Sequence, residues 1–340
     1  MLAICKEVKI LSVDVGNYLL YVDRVTKFFG YGLLGLRKFK ALDEVSLFLP
    51  LQEPRLFVLI GETGSGKTTL LRIILRMIEP DMGSVYYKSK NVFKLRSSEV
   101  KWYRREVQAI FQDPYETFNP LRTIDSYLFD ASKYLLSIGK KEAEALVDET
   151  LRFVGLSLDR VKGKRIREFS GGELQRISIA RAILTRPSLL LADEPVSMLD
   201  ASLRVNILNI FKDVRDKLKT SVIYVTHDLA TAYYVGDEMA VLYRGVLVES
   251  GSIEYVYNDP LHPYTQLLLN SILEPDINIK DRVKPIKLSS IEIKEFLTPG
   301  CKFANRCPYV TPKCNKEAPP LIRVDGKRAV RCWLYTTSNT

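Results

Sequence analysis

The stretch LFVLIGETGSGKTTLLRII (residues 56–74) decides the fold. LFVLI (Leu56 to Ile60) is an unbroken apolar run bounded by Pro54 and Gly61, the pattern of a short strand buried on both faces. From Thr69 to Ile78 the sequence turns helical, and Pro80 and Gly83 end the helix. Between strand and helix lies GETGSGKT. Gly61, Gly64 and Gly66 let the backbone curl until its N–H groups point at phosphate oxygens, and the helix start adds the positive end of its dipole. Lys67 can reach the β- and γ-phosphates, and the Thr68 hydroxyl can ligate Mg²⁺. Thr63, Ser65 and Thr69 complete the expected nucleotide-binding set.

A Mg²⁺–nucleotide site needs a further acid. LLLADEP (Leu189 to Pro195) is a second buried-strand pattern ending in Asp193, placed as a Mg²⁺-shell carboxylate, with Glu194 next in line. Alternation of side chains at the strand end turns Glu194 toward the γ-phosphate, which makes it the general-base candidate. A third apolar run, SVIYVTH, ends at His227, followed by Asp228. Helical stretches separate these strands, notably Ala201 to Leu218, and that alternation predicts a mainly parallel sheet covered by helices. Val107 to Gln112 reads as another strand and residues 120–168 as charged helices without a strand. Ala240 to Gly251 reads as a hairpin, and residues 1–55 as short strands around a Gly- and Lys-bearing loop from Gly30 to Lys40.

The 340 residues suffice for one large α/β domain with an appendage. No apolar run approaches the ~18–20 residues of a membrane span, and Lys6, Glu7 and Lys9 interrupt any signal-peptide core. The expectation is a cytoplasmic protein. The net charge of +10 is uneven: residues 281–340 carry 12 Lys and Arg against 5 Asp and Glu. Such a tail is either a solvated basic surface or one that meets nucleic acid or an anionic leaflet. No arginine-rich or aromatic-interleaved motif supports specific nucleic-acid binding. Four of the five cysteines, Cys301, Cys307, Cys314 and Cys332, cluster at the end with spacing C-x5-C-x6-C-x17-C, while Cys5 stands alone. Four thiolates suit a four-iron four-sulfur cluster or a tetrahedral zinc ion, and unligated thiols or two disulfides are the alternatives. Nearby Lys302, Arg306, Lys313 and Arg331 are expected to favour deprotonated thiols.

FSGGELQR (Phe169 to Arg176), lying between the phosphate loop and LLLADEP, resembles the signature sequence of ATP-binding-cassette (ABC) proteins. The resemblance implies a P-loop NTPase core, RecA-like with a mainly parallel sheet, carrying antiparallel β and helical subdomains. It also implies a head-to-tail dimer with ATP at the interface. Ser170, Gly171 and Gly172, with Glu173 and Gln175, would then contact the ATP held by the partner. A serine hydroxyl and glycine amides at a helix start make a good anion cap. By the same resemblance Gln112 senses Mg²⁺ and couples to membrane subunits, Asp200 of SMLD crosses the dimer interface, and His227 contacts the γ-phosphate. Phe29, with Phe28 as its neighbouring alternative, stacks on adenine.

FQDPYETFNP (from Phe111), DEPVSMLD and DPLHPYTQLLL (from Asp259) are similar to the ATPase subunits of oligopeptide/dipeptide uptake transporters, and most to the second ATPase of such systems. GCKFANRCPYVTPKCNKEAPPLI (from Gly300) and RCW (from Arg331) resemble their C-terminal cysteine module, which implies an iron–sulfur cluster. The expected division is an ABC ATPase domain over residues 1–255, its helical subdomain near 113–180, and a tail over 256–340. The implied partners are a second ABC ATPase, paralogous rather than identical, two transmembrane permease subunits and, indirectly, an extracellular substrate-binding protein. ATP and Mg²⁺ are the implied ligands and peptides the cargo, with sugar or nickel as alternatives. The competing reading is a soluble cassette ATPase in nucleic-acid or cluster-assembly processes.

Overall fold

The strands Leu56–Ile60 and Ser221–Thr226 at the middle of the main sheet are buried on both faces. The computed structural model describes residues 15–31, 37–271 and 293–336. Cys5 and the N-terminal segment lie outside them. The strands, in chain order, are β1 (Tyr18–Tyr31), β2 (Arg37–Pro50), β3 (Leu56–Ile60), β4 (Met82–Tyr87), β5 (Lys90–Asn91), β6 (Val107–Ile110), β7 (Leu189–Asp193), β8 (Ser221–Thr226), β9 (Glu238–Tyr243), β10 (Val246–Ser252), β11 (Ile322–Arg323) and β12 (Arg328–Val330). They form an eight-stranded sheet in the order β11-β12-β10-β9-β3-β8-β7-β6 and a four-stranded sheet in the order β2-β1-β4-β5. From β9 through β3, β8 and β7 to β6 the pairing is parallel.

Alternation along β3 divides the core. Leu56, Val58 and Ile60 pack on one side with the helices, whereas Phe57 and Leu59 face the four-stranded sheet and helix Lys67–Ile74. Each such buried side chain contributes about 1.5–3 kcal/mol relative to exposure, so the strand that launches the phosphate loop is firmly anchored. Gly61 follows it where no side chain fits: a Cβ there would stand 2.2 Å from the Leu242 carbonyl oxygen.

The four-stranded sheet corrects one expectation. β1 and β2 are not short; each runs 14 residues. They pair antiparallel from Tyr18↔Pro50 to Tyr31↔Arg37, with bulges on the way. Both ends of the segment read as a loop, Gly30 to Lys40, therefore lie in strands. The bulges explain the misreading, because each one breaks the two-residue alternation that marks a long strand.

The helical region holds as read. Helices Ile124–Ala131, Lys140–Phe153, Leu158–Val161 and Gly171–Ile183 share one core through Ile124, Leu128, Val147, Leu151, Val161, Leu174 and Ile177. The buried positions Ala143, Val147, Thr150 and Leu151 of the second helix follow a single helical face. The hairpin is present as β9 and β10. The tail continues the main sheet: β12 pairs antiparallel with β10 through Glu249↔Val330 and Gly251↔Arg328. This seats the cysteine segment beside the end of the sheet that carries the phosphate loop.

Candidate functional site: a phosphate loop with a carboxylate centre and a cysteine cavity

The loop from Gly61 to Thr68 joins β3 to helix Lys67–Ile74. Gly64 and Gly66 take φ of 78° and 110°, in the left-handed region. At Gly66 the space is also closed, since a Cβ would meet the Ala41 carbonyl oxygen at 2.7 Å. No side chain caps the start of this helix, so its first amide groups keep their hydrogen-bonding capacity for an anion. Lys67 Nζ donates to the carbonyl oxygens of Gly61 (2.6 Å) and Glu62 (3.0 Å). Burial lowers its pKa, against the opposing pull of Glu194, Asp193 and Glu62. Thr63 and Gly64 are exposed, Ser65 is buried and Thr69 half-buried.

Three strand ends converge on this loop. Asp193, ending β7, accepts a hydrogen bond from Thr68 Oγ1 at 2.9 Å. Burial raises the Asp193 pKa and the neighbouring Glu194 adds to the effect, while Thr68 and Lys67 oppose it. Glu194 has φ of 46°, a left-handed conformation unusual for glutamate and one that clusters at functional sites. Its amide donates to the Val225 carbonyl of β8 at 2.9 Å. One carboxylate oxygen stands 3.1 Å from His227 Nδ1, and the other accepts from Gln112 Nε2 at 3.3 Å. Gln112, Asp193, Glu194 and His227 thus meet beside the loop, as read from sequence. Asp228, next to His227, caps the following helix by accepting from the Ala230 and Thr231 amides.

The signature segment lies elsewhere on the chain. Ser170 caps helix Gly171–Ile183, accepting from the Glu173 amide at 3.3 Å, while Glu173 accepts from the Ser170 amide at 2.9 Å. Arg160 pairs with Glu173 at 3.0 Å. Ser170 is exposed, Gly172 is buried against Leu203, and Gln175 is buried inside the helix packing with its Nε2 unpartnered. Asp200 is exposed at the start of helix Ala201–Leu218. Phe29 is 38% exposed on β1 and packs beside Phe39.

The four clustered cysteines line one cavity of about 220 Å³, together with His262 and Phe303. None forms a disulfide. Among the described residues no group of three or more His, Cys, Asp and Glu is placed to hold a metal ion, so neither the zinc nor the iron–sulfur expectation meets a formed ligand set. The backbone amides of Phe303, Tyr309 and Leu334 partly oppose the upward push of burial on the Cys301, Cys307 and Cys332 thiols. Thr311 Oγ1 stands 3.2 Å from Cys314 Sγ. His262 Nδ1 accepts from the Tyr264 amide at 3.0 Å, which leaves its proton on Nε2, a buried atom with no partner. Burial pushes His262 down to about 3, so it is a neutral donor across the physiological range.

The basic neighbours do not act as expected. Burial pushes Cys301 up to about 12 and Cys332 to about 11, with the adjacent cysteines adding to it. Lys302 Nζ donates instead to the carbonyls of Phe296 and Thr298, Arg331 to those of Leu247 and Pro319, and Lys313 lies over the Trp333 ring. Arg306 reaches the phosphate loop, bonding Glu62 through both guanidinium nitrogens at 3.1 and 3.0 Å. A bound metal group would displace the thiol protons itself, without help from these cations.

Glu62, Glu249 and His262 were not read as site residues from the sequence, and Arg306 takes a role other than the one expected of it. Glu249, fully buried in β10, accepts from the Leu261 and His262 amides at 2.8 and 2.9 Å and so positions the His-Pro-Tyr segment. The DPLHPYTQLLL stretch, already singled out by resemblance, offered a signal for His262; the pairing of Glu62 with Arg306, 244 positions apart, offered none.

Comparison with known proteins agrees with this geometry. Residues 42–197 match the ABC transporter family, and residues 248–314 match the oligopeptide/dipeptide transporter C-terminal region. The chain is 37% identical to a putative oligopeptide transport ATP-binding protein, YkfD, of Bacillus subtilis, over 89% of this chain and 92% of that one. It is 34% identical to the oligopeptide transport ATP-binding protein OppF of Salmonella typhimurium, over 86% and 87% of the two chains. Among solved structures it resembles the dimeric post-hydrolysis state of the ATP-binding cassette MJ0796 bound to ADP and Pi. There the TM-score is 0.60 and the identity 27%, covering 69% of this chain and 98% of that one.

Proposed function

The chain belongs to the ABC transporter family, in its oligopeptide/dipeptide branch, and from that we propose that it is the ATP-hydrolysing subunit of a peptide importer. The observation that carries the chemistry is Glu194, held between His227 and Gln112 beside Thr68 and Asp193. In that position a carboxylate can take the proton of a water attacking the γ-phosphate, while His227 fixes its orientation. Thr68, Asp193 and Gln112 are the residues that would hold Mg²⁺, which when bound neutralises phosphate charge. Lys67 and the uncapped helix start supply the remaining positive potential. Phe29 stacks on adenine, as its exposed ring allows.

The exposed Ser170 and Asp200 belong to an interface with a second ABC ATPase, where Ser170, Gly171 and Gly172 meet the nucleotide of the partner. Glu173 and Gln175 act within their own chain, the first as capping-box partner of Ser170 and the second as packing. Closure on ATP and reopening after hydrolysis drive two permease subunits, fed from outside by a binding protein. ATP does so by binding the closed state better than the open one. Among the described residues no helix is long and apolar enough to cross a membrane, so attachment to the cytoplasmic face rests on the permeases. Cys301, Cys307, Cys314 and Cys332 are the residues that would hold an iron–sulfur cluster, a reading supported by their meeting on one cavity. The soluble-cassette alternative is not favoured, because the matching C-terminal region is that of the transporters.

Purification of the tagged chain from its native membranes tests the reading. Two multi-span proteins and a second cassette ATPase should accompany it. Recovery with soluble partners alone, or with nucleic acid, would overturn it.

A further inference from the structure

The cysteine cavity and the phosphate loop are joined through one residue, Glu62. Its carbonyl oxygen holds Lys67, and its amide donates to the Tyr264 hydroxyl at 2.9 Å. Its carboxylate takes the two-nitrogen grip of Arg306, whose side chain is only 4% exposed. Both partners lead back to the cavity. Arg306 immediately precedes Cys307 in the turn Ala304–Arg306. Tyr264 packs on Phe303 at 5.5 Å, and its own amide bonds His262, which like Phe303 lines the cavity. A second buried arginine, Arg244, closes the network by bonding Glu295 at 2.5 Å and standing 3.9 Å from Glu62.

A fork of this kind fixes direction as well as distance. If the turn between Cys301 and Cys307 shifts, Arg306 shifts with it, and its grip sets where the Glu62 carbonyl and the Lys67 ammonium stand. We propose that Arg306 and Glu62 are positioning residues for ATP binding, and that the state of the cysteine cavity sets nucleotide affinity through them. The inference rests on the nucleotide-binding role proposed above and adds to it a route by which the tail governs the loop.

The test is equilibrium ATP binding to the full chain, in Mg²⁺, for the wild type, Arg306→Met, Glu62→Gln and the double variant. Each single change should weaken binding about tenfold, within the usual 5–150-fold span of coupled sites, and the double variant should be no weaker than the singles. Cys301→Ser should weaken ATP binding in the wild-type background but add little to Arg306→Met. If Arg306→Met does not fold, Arg306→Lys keeps the charge without the fork and should show a smaller loss of the same kind. Unchanged affinity in a folded Arg306 variant would overturn the coupling. So would losses that multiply in the double variant, or a Cys301→Ser effect equal in both backgrounds. A wild-type chain that binds no ATP would overturn the nucleotide reading itself, and the coupling with it.

Discussion

Glu194→Gln is expected to keep ATP binding while slowing hydrolysis at least ~10²-fold, the usual loss when a general base is removed. The substitution is nearly isosteric, and the residue's left-handed backbone is fixed by the bond from its amide to Val225. The amide can still accept from His227 or Gln112, so the site keeps its shape. What disappears is the proton acceptor between them. ATP should then accumulate uncleaved, and the closed dimer should persist on ATP long enough to be isolated by size. Single-turnover hydrolysis with radiolabelled ATP checks the rate and size-exclusion chromatography the trap. Near-normal turnover would remove Glu194 as the base and leave His227 as the next candidate.

The second large effect concerns metal content. Anaerobically purified protein should be brown, with about four irons and matching acid-labile sulfide per chain, as a cubane on four thiolates requires. The physical ground is the cavity, which gathers the four cysteines beside the unpartnered Nε2 of His262. Cys301→Ser or Cys332→Ser should lower iron severalfold and bleach the colour. A colourless wild type, free of iron and sulfide or carrying zinc alone, would overturn the cluster.

Much of this site was legible because its signals are local. The strand, loop and helix around GETGSGKT occupy consecutive residues, and each local preference agrees with the fold. LLLADEP and SVIYVTH were legible for the same reason, as buried parallel strands ending in polar side chains. The structure then placed Asp193, Glu194, His227 and Gln112 together, as their positions at adjacent strand ends require. Bulges concealed the length of β1 and β2. The three residues of β12 are too few to show any periodicity, so the joining of the tail to the main sheet was invisible. The basic residues among the cysteines were misjudged because sequence proximity says nothing of direction. Lys302, Arg331 and Arg306 bond elsewhere, Lys313 lines the cavity but lies over the Trp333 ring, and burial governs the thiols instead. Gln175 was assigned outward by its motif, but its position on the helix faces it inward.

A chain that powers a peptide importer has its turnover coupled to import. The most direct measurement is ATP hydrolysis by the assembly purified from native membranes and returned to vesicles, with its binding protein added empty or loaded with peptide. Loaded binding protein should raise hydrolysis, peptide should enter the vesicles, and Glu194→Gln should abolish both. Hydrolysis indifferent to peptide-loaded binding protein, with no uptake, would contradict that coupling.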